Sequence, residues 1–176
     1  MKRRPAPAVE AAAAEGRVDT EIASGPLSDY EFTLSLRIRH PDMDPALITR
    51  ALGQQPQHSW RAGDARKDAE GDVLEGKYRE SYWMCGLMPH PKLATESIGV
   101  ESELLQVLTS LQNSFSFLQA LHSSGGASEV HVSIFASQAF RIELLAEMVS
   151  RLGRIGIGMT LEVEPRSMPL PMGTVD

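Results

Sequence analysis

Cysteine is almost missing from this chain. Cys85 stands alone among 176 residues, so no intrachain disulfide can form and no thiolate cluster can hold a metal. The cytoplasm is the compartment that fits. Long apolar runs are missing as well. MKRRPAP opens like the basic start of a signal peptide, but only Ala11 to Ala14 follow it, bracketed by Glu10 and Glu15, too short and weak for a signal core. No stretch approaches the roughly 18 to 20 apolar residues of a membrane span, so no membrane association is expected. A basic excess is also lacking. The formal net charge is -6, and residues 1–28 and 166–176 each sum to zero, which places the whole acidic excess between residues 29 and 165. Such a body is repelled by a phosphate backbone, which argues against nucleic acid as a partner and leaves a basic protein partner or a homodimer open.

What remains is the composition of an ordinary globular protein, long enough for one domain with a real core. Residues 1–28 mix Ala, Pro, Gly and both charges without apolar periodicity, and RSMPLPMGTVD at the other end has none either. The expected organisation is a disordered N-terminal tail (1–28), one domain (29–165) and a flexible C-terminal tail (166–176).

Within the domain the apolar period changes repeatedly. Tyr30, Phe32, Leu34, Leu36 and Ile38 alternate with polar residues, the pattern of a strand with one buried and one wetted face. Asp44 before Pro45, then Leu47, Ile48, Ala51 and Leu52, then Gly53, spells a short capped helix. Two strands are expected near Ser59–Ala62 and Glu80–Leu87, joined by the polar, mobile connection DARKDAEGDVLEGKYRE. Apolar residues at helical spacing from Val100 to about Leu121 predict one long helix. Val130, Val132 and Ile134 predict a strand, Ser137 a cap for a helix stopped by Gly153, and Ile157, Met159, Leu161 and Val163 a last strand. The order predicts an α+β two-layer sandwich, a ferredoxin-like variant with a mainly antiparallel sheet and helices on one face.

HPDMDP, residues 40–45, gathers a histidine and two aspartates, but no further ligand follows at a metal-binding spacing, and Asp44 with Pro45 is explained as a helix start. It is read as a joint, with no metal site. LGRIGIG at 152–158 follows a helix and precedes a strand, the reverse of a phosphate-cradling loop. Cys85 reads as a small hydrophobe in a strand. The most distinctive group is Trp60, Arg61, Asp64, Arg66 and Trp83, a ligand-binding candidate in which the arginines would hold an anionic ligand and Asp64 would move a proton. Core packing is the commoner use of such tryptophans. On the first strand, Arg37 and Arg39 share the wetted face with His131, a candidate partner surface. Arg37 and Arg39 also invite pairing with Glu162 and Glu164, should the first and last strands be neighbours. An RNA-binding open sheet would need wetted aromatics, and none stands at the alternating polar positions of the first, next-to-last and last strands.

YEFTLSLRIRHPDMDPALITRALGQQPQHSWRAGD, followed by GKYRESYW and EVHVSIF, resembles the bacterial domain-of-unknown-function family 4279. The likeness covers about residues 29–165 and rests on Pro41, Asp44, Pro45, Ile48, Leu52, Gly53, Pro56, Gly63, Asp64 and Trp83. It implies domain limits and brings no activity, catalytic residue or cofactor. The function expected is a non-catalytic protein-binding module, immunity-like or accessory, with a small-molecule site or enzyme around Trp60 as the alternative.

Overall fold

Alternation builds the first strand. In β1 (Glu31–His40), Phe32, Leu34, Leu36 and Ile38 are buried while Arg37 and Arg39 face the other way. The computed structural model describes residues 30–95, 98–137, 140, 142 and 144–165; the two expected tails lie outside the described residues.

The joint after β1 has the expected form. The Asp44 side chain accepts from the Ala46 amide at 2.8 Å, Pro45 opens α1 (Pro45–Leu52), and Gly53 closes it in the left-handed conformation at φ 66°. His40 is part of the same corner. Its Nδ1 accepts from the amides of Met43 (2.9 Å) and Asp42 (3.2 Å), and its Nε2 faces Ser124 Oγ at 3.0 Å. A nitrogen that accepts two amide hydrogens has no lone pair left for a metal. Asp44→Ala is therefore expected to cost about 0.5–2 kcal/mol and Asp44→Ser almost nothing, because serine caps as well as aspartate. Thermal unfolding with and without divalent metal checks this: a metal-dependent rise that Asp44→Ser abolishes would make the corner a metal site.

β2 (His58–Trp60) follows, then a hairpin of β3 (Ala65–Lys67) and β4 (Val73–Lys77), and then β5 (Ser81–Gly86) and the short β6 (Lys92–Leu93). The expected mobile connection between β2 and β5 is thus a two-stranded sheet. It lacks apolar alternation because nearly all of it is exposed; its turn and a brace hold it instead. Asp68 accepts the Asp72 amide on its side chain at 2.8 Å, Gly71 takes φ 93°, and the Tyr78 hydroxyl lies 3.3 Å from the Lys67 amide.

The expected long helix is broken. α2 (Val100–Ser110) gives way to a 3-10 turn at Gln112–Ser114, and α3 (Phe115–Ser123) resumes. Thr109 and Ser110 turn their hydroxyls back onto the carbonyls of Leu105 and Val107, and Ser114 reaches the Ala51 carbonyl of α1 at 3.4 Å. Such back-bonding loosens a helix.

β7 (Ala127–Ala136), α4 (Leu145–Arg154) and β8 (Ile157–Pro165) complete the chain. α4 starts at Leu145, well past Ser137, and Leu144 at its N-cap makes no side-chain bond. Gly153 lies inside α4 rather than stopping it; the left-handed residue is Gly156, at φ 76°.

The main sheet runs β2-β5-β1-β7-β8, with β6 pairing the start of β1 beyond the reach of β5. Every pairing in it is antiparallel except β7 with β8, which is parallel. The fold is α+β, with an antiparallel-dominated sheet and four α-helices among the described residues. Ile48, Leu104, Leu118, Met148 and Leu152 from the helices join Phe32, Ile38, Trp83, Val130 and Ile134 from the strands in one core. Cys85 lies in that core, and burial raises its thiol from 9.0 to about 11 against a smaller opposing effect of a hydrogen bond with the Leu36 backbone. The unfolded thiol ionises first. Stability contributed by the neutral thiol is therefore whole below pH 9.0 and lost as pH rises through about 11. Denaturant melts across this window should show a downward slope that flattens in Cys85→Ala.

Candidate functional site

The second face of the sheet is where the polar side chains collect. Strand register orders them in rows. Trp60 stands opposite Tyr82, Tyr82 opposite Arg39 and Arg39 opposite Ala127; in the next row His58, Met84, Arg37, Glu129 and Gly158 follow one another across five strands. Ser35, His131 and Thr160 form a third row, and Thr33, Ser133 and Glu162 a fourth. The face is basic and aromatic at one end and acidic at the other.

Register also separates the two tryptophans. Ser59 is the residue opposite Trp83, so Trp60 points to the polar face while Trp83 points into the core. Trp83 is fully buried, and its Nε1 donates to Thr49 Oγ1 of α1 at 3.0 Å. Trp60 is sandwiched between Tyr78 (centroids 4.5 Å apart, planes 17° apart) and Tyr82 (4.4 Å, 21°). The five-residue ligand site expected from the sequence is therefore not assembled. Of its remaining members, Arg61 and Asp64 serve the turn between β2 and β3, and Arg66 braces β3 against β4. The Asp64 amide donates to the Arg61 carbonyl at 3.1 Å, the Asp64 carboxylate accepts the Arg61 amide at 3.1 Å, and Gly63 between them has φ 88°. That is a turn whose third position demands glycine. Arg61 reaches toward Asp44 at 4.0 Å, and Arg66 donates to the Glu75 carbonyl at 3.4 Å. A hollow of about 670 Å³ lies beside Trp60 and Tyr78, bordered by Asp64, Lys67 and Asp68. Both aspartates there are already engaged in their own turns.

The ion pairs expected between the first and last strands do not form, because β7 stands between β1 and β8. Arg37 lies 4.0 Å from Glu129 of β7 instead, and Glu129 also accepts from Thr160 at 3.2 Å. Glu162 lies 3.2 Å from His131 Nε2, out of line for a hydrogen bond. His131 itself, expected on a wetted face, is only 5 % exposed, and both of its ring nitrogens lack hydrogen-bond partners. It shapes the face from beneath and offers a partner little surface. Arg37 Nε is likewise buried without a partner, and Arg39 is exposed, with no ion pair among the described residues. A double-mutant cycle should give Arg37 with Glu129 a coupling of about 0.2–1 kcal/mol, the usual worth of an exposed pair. Arg37 with Glu162 should give none; a coupling there would mean that the strand order is wrong.

Sequence reading missed Tyr78, Tyr82, Met84 and Glu129 as members of this surface. The signal for the tyrosines was present in the spacing: Tyr82 precedes a core-facing Trp83 in a strand, so it must face outward. Burial raises the Tyr82 hydroxyl above its usual value, while the positive charges of Arg37 and Arg39 partly offset that rise. Tyr78 and Tyr82 are each stacked on Trp60.

Among the described residues no cluster of three or more histidine, cysteine, aspartate or glutamate side chains is gathered for a metal, and no helix is long and apolar enough to cross a membrane. No curated protein and no solved structure matches the chain. Of the ten residues that carry the resemblance drawn from the sequence, Pro41, Asp44, Pro45, Gly53, Gly63, Asp64 and Trp83 build the joint, the turn and the core contact between α1 and β5. The model of a domain of unknown function, DUF4279, matches residues 30–165, and the chain belongs to that family.

Proposed function

We propose that the protein is a non-catalytic binding module, working in the cytoplasm, that meets a protein partner through the polar face of its sheet. The observation that carries this reading is the row of Trp60, Tyr82 and Arg39, side by side on one face with Arg37 behind them. Tryptophan, tyrosine and arginine are the residues that concentrate binding energy at protein interfaces. The partner is predominantly basic. The domain's net charge steers such a partner toward it, and Glu162 and Glu164, at the far end of the face, supply the local contacts.

The scaffold fits this use. We read β1-α1-β2-β5-(α2, α3)-β7, with strand order β2-β5-β1-β7, as a ferredoxin-like two-layer unit to which α4 and β8 add one more edge strand. Helices then cover one face and leave the other for contact.

The test is affinity capture from an extract of the source cells with four baits: wild type, the pair Trp60→Ala and Arg39→Ala, the pair Glu162→Lys and Glu164→Lys, and Leu47→Glu on the exposed side of α1. A protein retained by wild type and Leu47→Glu, and lost by the two polar-face variants, supports the reading. One retained by both polar-face variants and lost by Leu47→Glu places the interface on the helices and overturns it.

A further inference from the structure

We propose that the cleft where β1 ends and β7 and β8 begin binds a small oxyanion ligand, a carboxylate or a phosphate monoester on a compact body, through Arg37 and Arg39. The cleft has a volume of about 540 Å³ and is walled by Arg37, Arg39, His122 and Glu129. Sites for small molecules fall in the range of about 300–1,000 Å³.

Its floor is made of small residues brought together from two distant stretches of chain: Gly126, Ala127 and Ser128 from the start of β7, Gly156 and Gly158 from the start of β8. Two of these glycines are explained by the fold. A Cβ on Gly126 would lie 2.7 Å from Leu121 and 2.8 Å from His40, and one on Gly156, already left-handed, would lie 2.6 Å from His122. Gly158 has no such reason. Its φ is not in the left-handed region, and an added Cβ would meet only ordinary contacts, at 3.5 Å from Glu129 and 3.6 Å from the Ser128 carbonyl. Glycine inside a strand is otherwise a liability, and it marks places where a ligand or another backbone comes close. Nothing in the sheet needs the space above Gly158, and that space belongs to the cleft.

The walls supply the charge. Arg37 and Arg39 project from the same face of one strand, two residues apart. Arg37 Nε is buried and has no hydrogen-bond partner, while its outer nitrogen is 4.0 Å from Glu129, so most of its five donors are unused. Nε is closed to solvent and so to a ligand, which leaves the outer nitrogens of the Arg37 guanidinium as its donors to the cleft. Carboxylates and phosphates both accept two parallel bonds from one guanidinium, which is the chemistry this pair offers. Two arginines against one glutamate leave the cleft with a net positive charge, which suits a ligand of low charge over a polyanion. LGRIGIG therefore contributes to an anion site after all, as an open floor beneath arginines and without a helix N-terminus.

This site shares Arg37 and Arg39 with the proposed partner face, but its test is separate, because it is made on the purified full chain with simple anions. Benzoate, acetate and inorganic phosphate are titrated at constant ionic strength into wild type, Gly158→Ala, Gly158→Leu and Arg39→Gln, following both heat of binding and melting temperature. The expected result is saturable binding of at least one anion to wild type, weakened in Gly158→Ala, whose methyl enters the space above the floor, and weakened at least about tenfold in Gly158→Leu, where the leucine fills the cleft, and in Arg39→Gln. Binding of benzoate or acetate alone identifies a carboxylate ligand, and of phosphate alone a phosphate monoester. Two outcomes overturn the proposal: no saturable binding of any of the three anions, or binding that Gly158→Leu and Arg39→Gln both leave unchanged while their melting temperatures show them folded.

Discussion

Trp83→Ala is expected to destabilise the protein by about 3–5 kcal/mol, the cost of deleting a large buried aromatic side chain whose surroundings cannot collapse into the space. Trp83 is fully buried, on the strand next to β1, and it links the sheet to α1 through Thr49. A loss of that size lowers the melting temperature by on the order of 10 °C in a domain of this length. Trp83→Phe separates packing from polarity. It keeps a ring in the core and removes only the bond to Thr49, whose hydroxyl still donates to the Pro45 carbonyl, so most of the stability should return. Chemical denaturation of the three proteins measures both effects. A cost below about 1 kcal/mol for Trp83→Ala would mean that the side chain lines a site rather than the core.

His40→Ala is expected to be the most damaging change at the corner between β1 and α1. The ring is 5 % exposed and serves two backbone amides at once. Removing it leaves those of Asp42 and Met43 without an acceptor, at about 1–3 kcal/mol for each group that water cannot reach. Ser124 loses Nε2 but keeps its own bonds to the Ala120 and Leu121 carbonyls, so α3 should survive locally. His40→Asn places an amide oxygen near the position of Nδ1 and should recover a good part of the loss. Equilibrium unfolding of both variants checks this; equal destabilisation by alanine and asparagine would mean that ring packing, rather than acceptance by Nδ1, is what the corner needs.

Local features were legible in the sequence where a single stretch of chain decides the outcome. β1 follows from period-two alternation, and α1 from Asp44, Pro45 and Gly53, because strand burial and helix caps involve neighbours along the chain. Cys85 in a buried strand was legible for the same reason. The break between α2 and α3 was not, since the apolar spacing runs on through it and the hydroxyls of Thr109 and Ser110 undo the helix without changing that spacing. The β3–β4 hairpin was hidden because its strands have no buried face to produce alternation. Gly153 and Gly156 look alike as letters, and only the backbone shows which one is left-handed.

The site was less legible than the fold, for a physical reason: it depends on which strand lies beside which. Trp60 and Trp83 looked like partners in one pocket until the register of β2 against β5 put them on opposite faces. Arg37 looked like a partner for Glu162 until β7, entering between β1 and β8, offered Glu129. His131 is buried between Ser35 of β1 and Thr160 of β8, a neighbourhood that no single segment encodes. The empty space above Gly158 is visible only once β8 is placed parallel to β7.

The most direct test of the polar face as the binding surface is hydroxyl-radical footprinting of the protein alone and in complex with the partner it captures. Trp60, Tyr82 and Met84 share that face with Arg37 and Arg39, whereas Leu47, Leu144 and Val149 are exposed on α1 and at α4. The expected result is reduced oxidation of Trp60, Tyr82 and Met84 in the complex, with Leu47, Leu144 and Val149 unchanged. Protection of the helix residues with Trp60, Tyr82 and Met84 oxidised as in the free protein would contradict it.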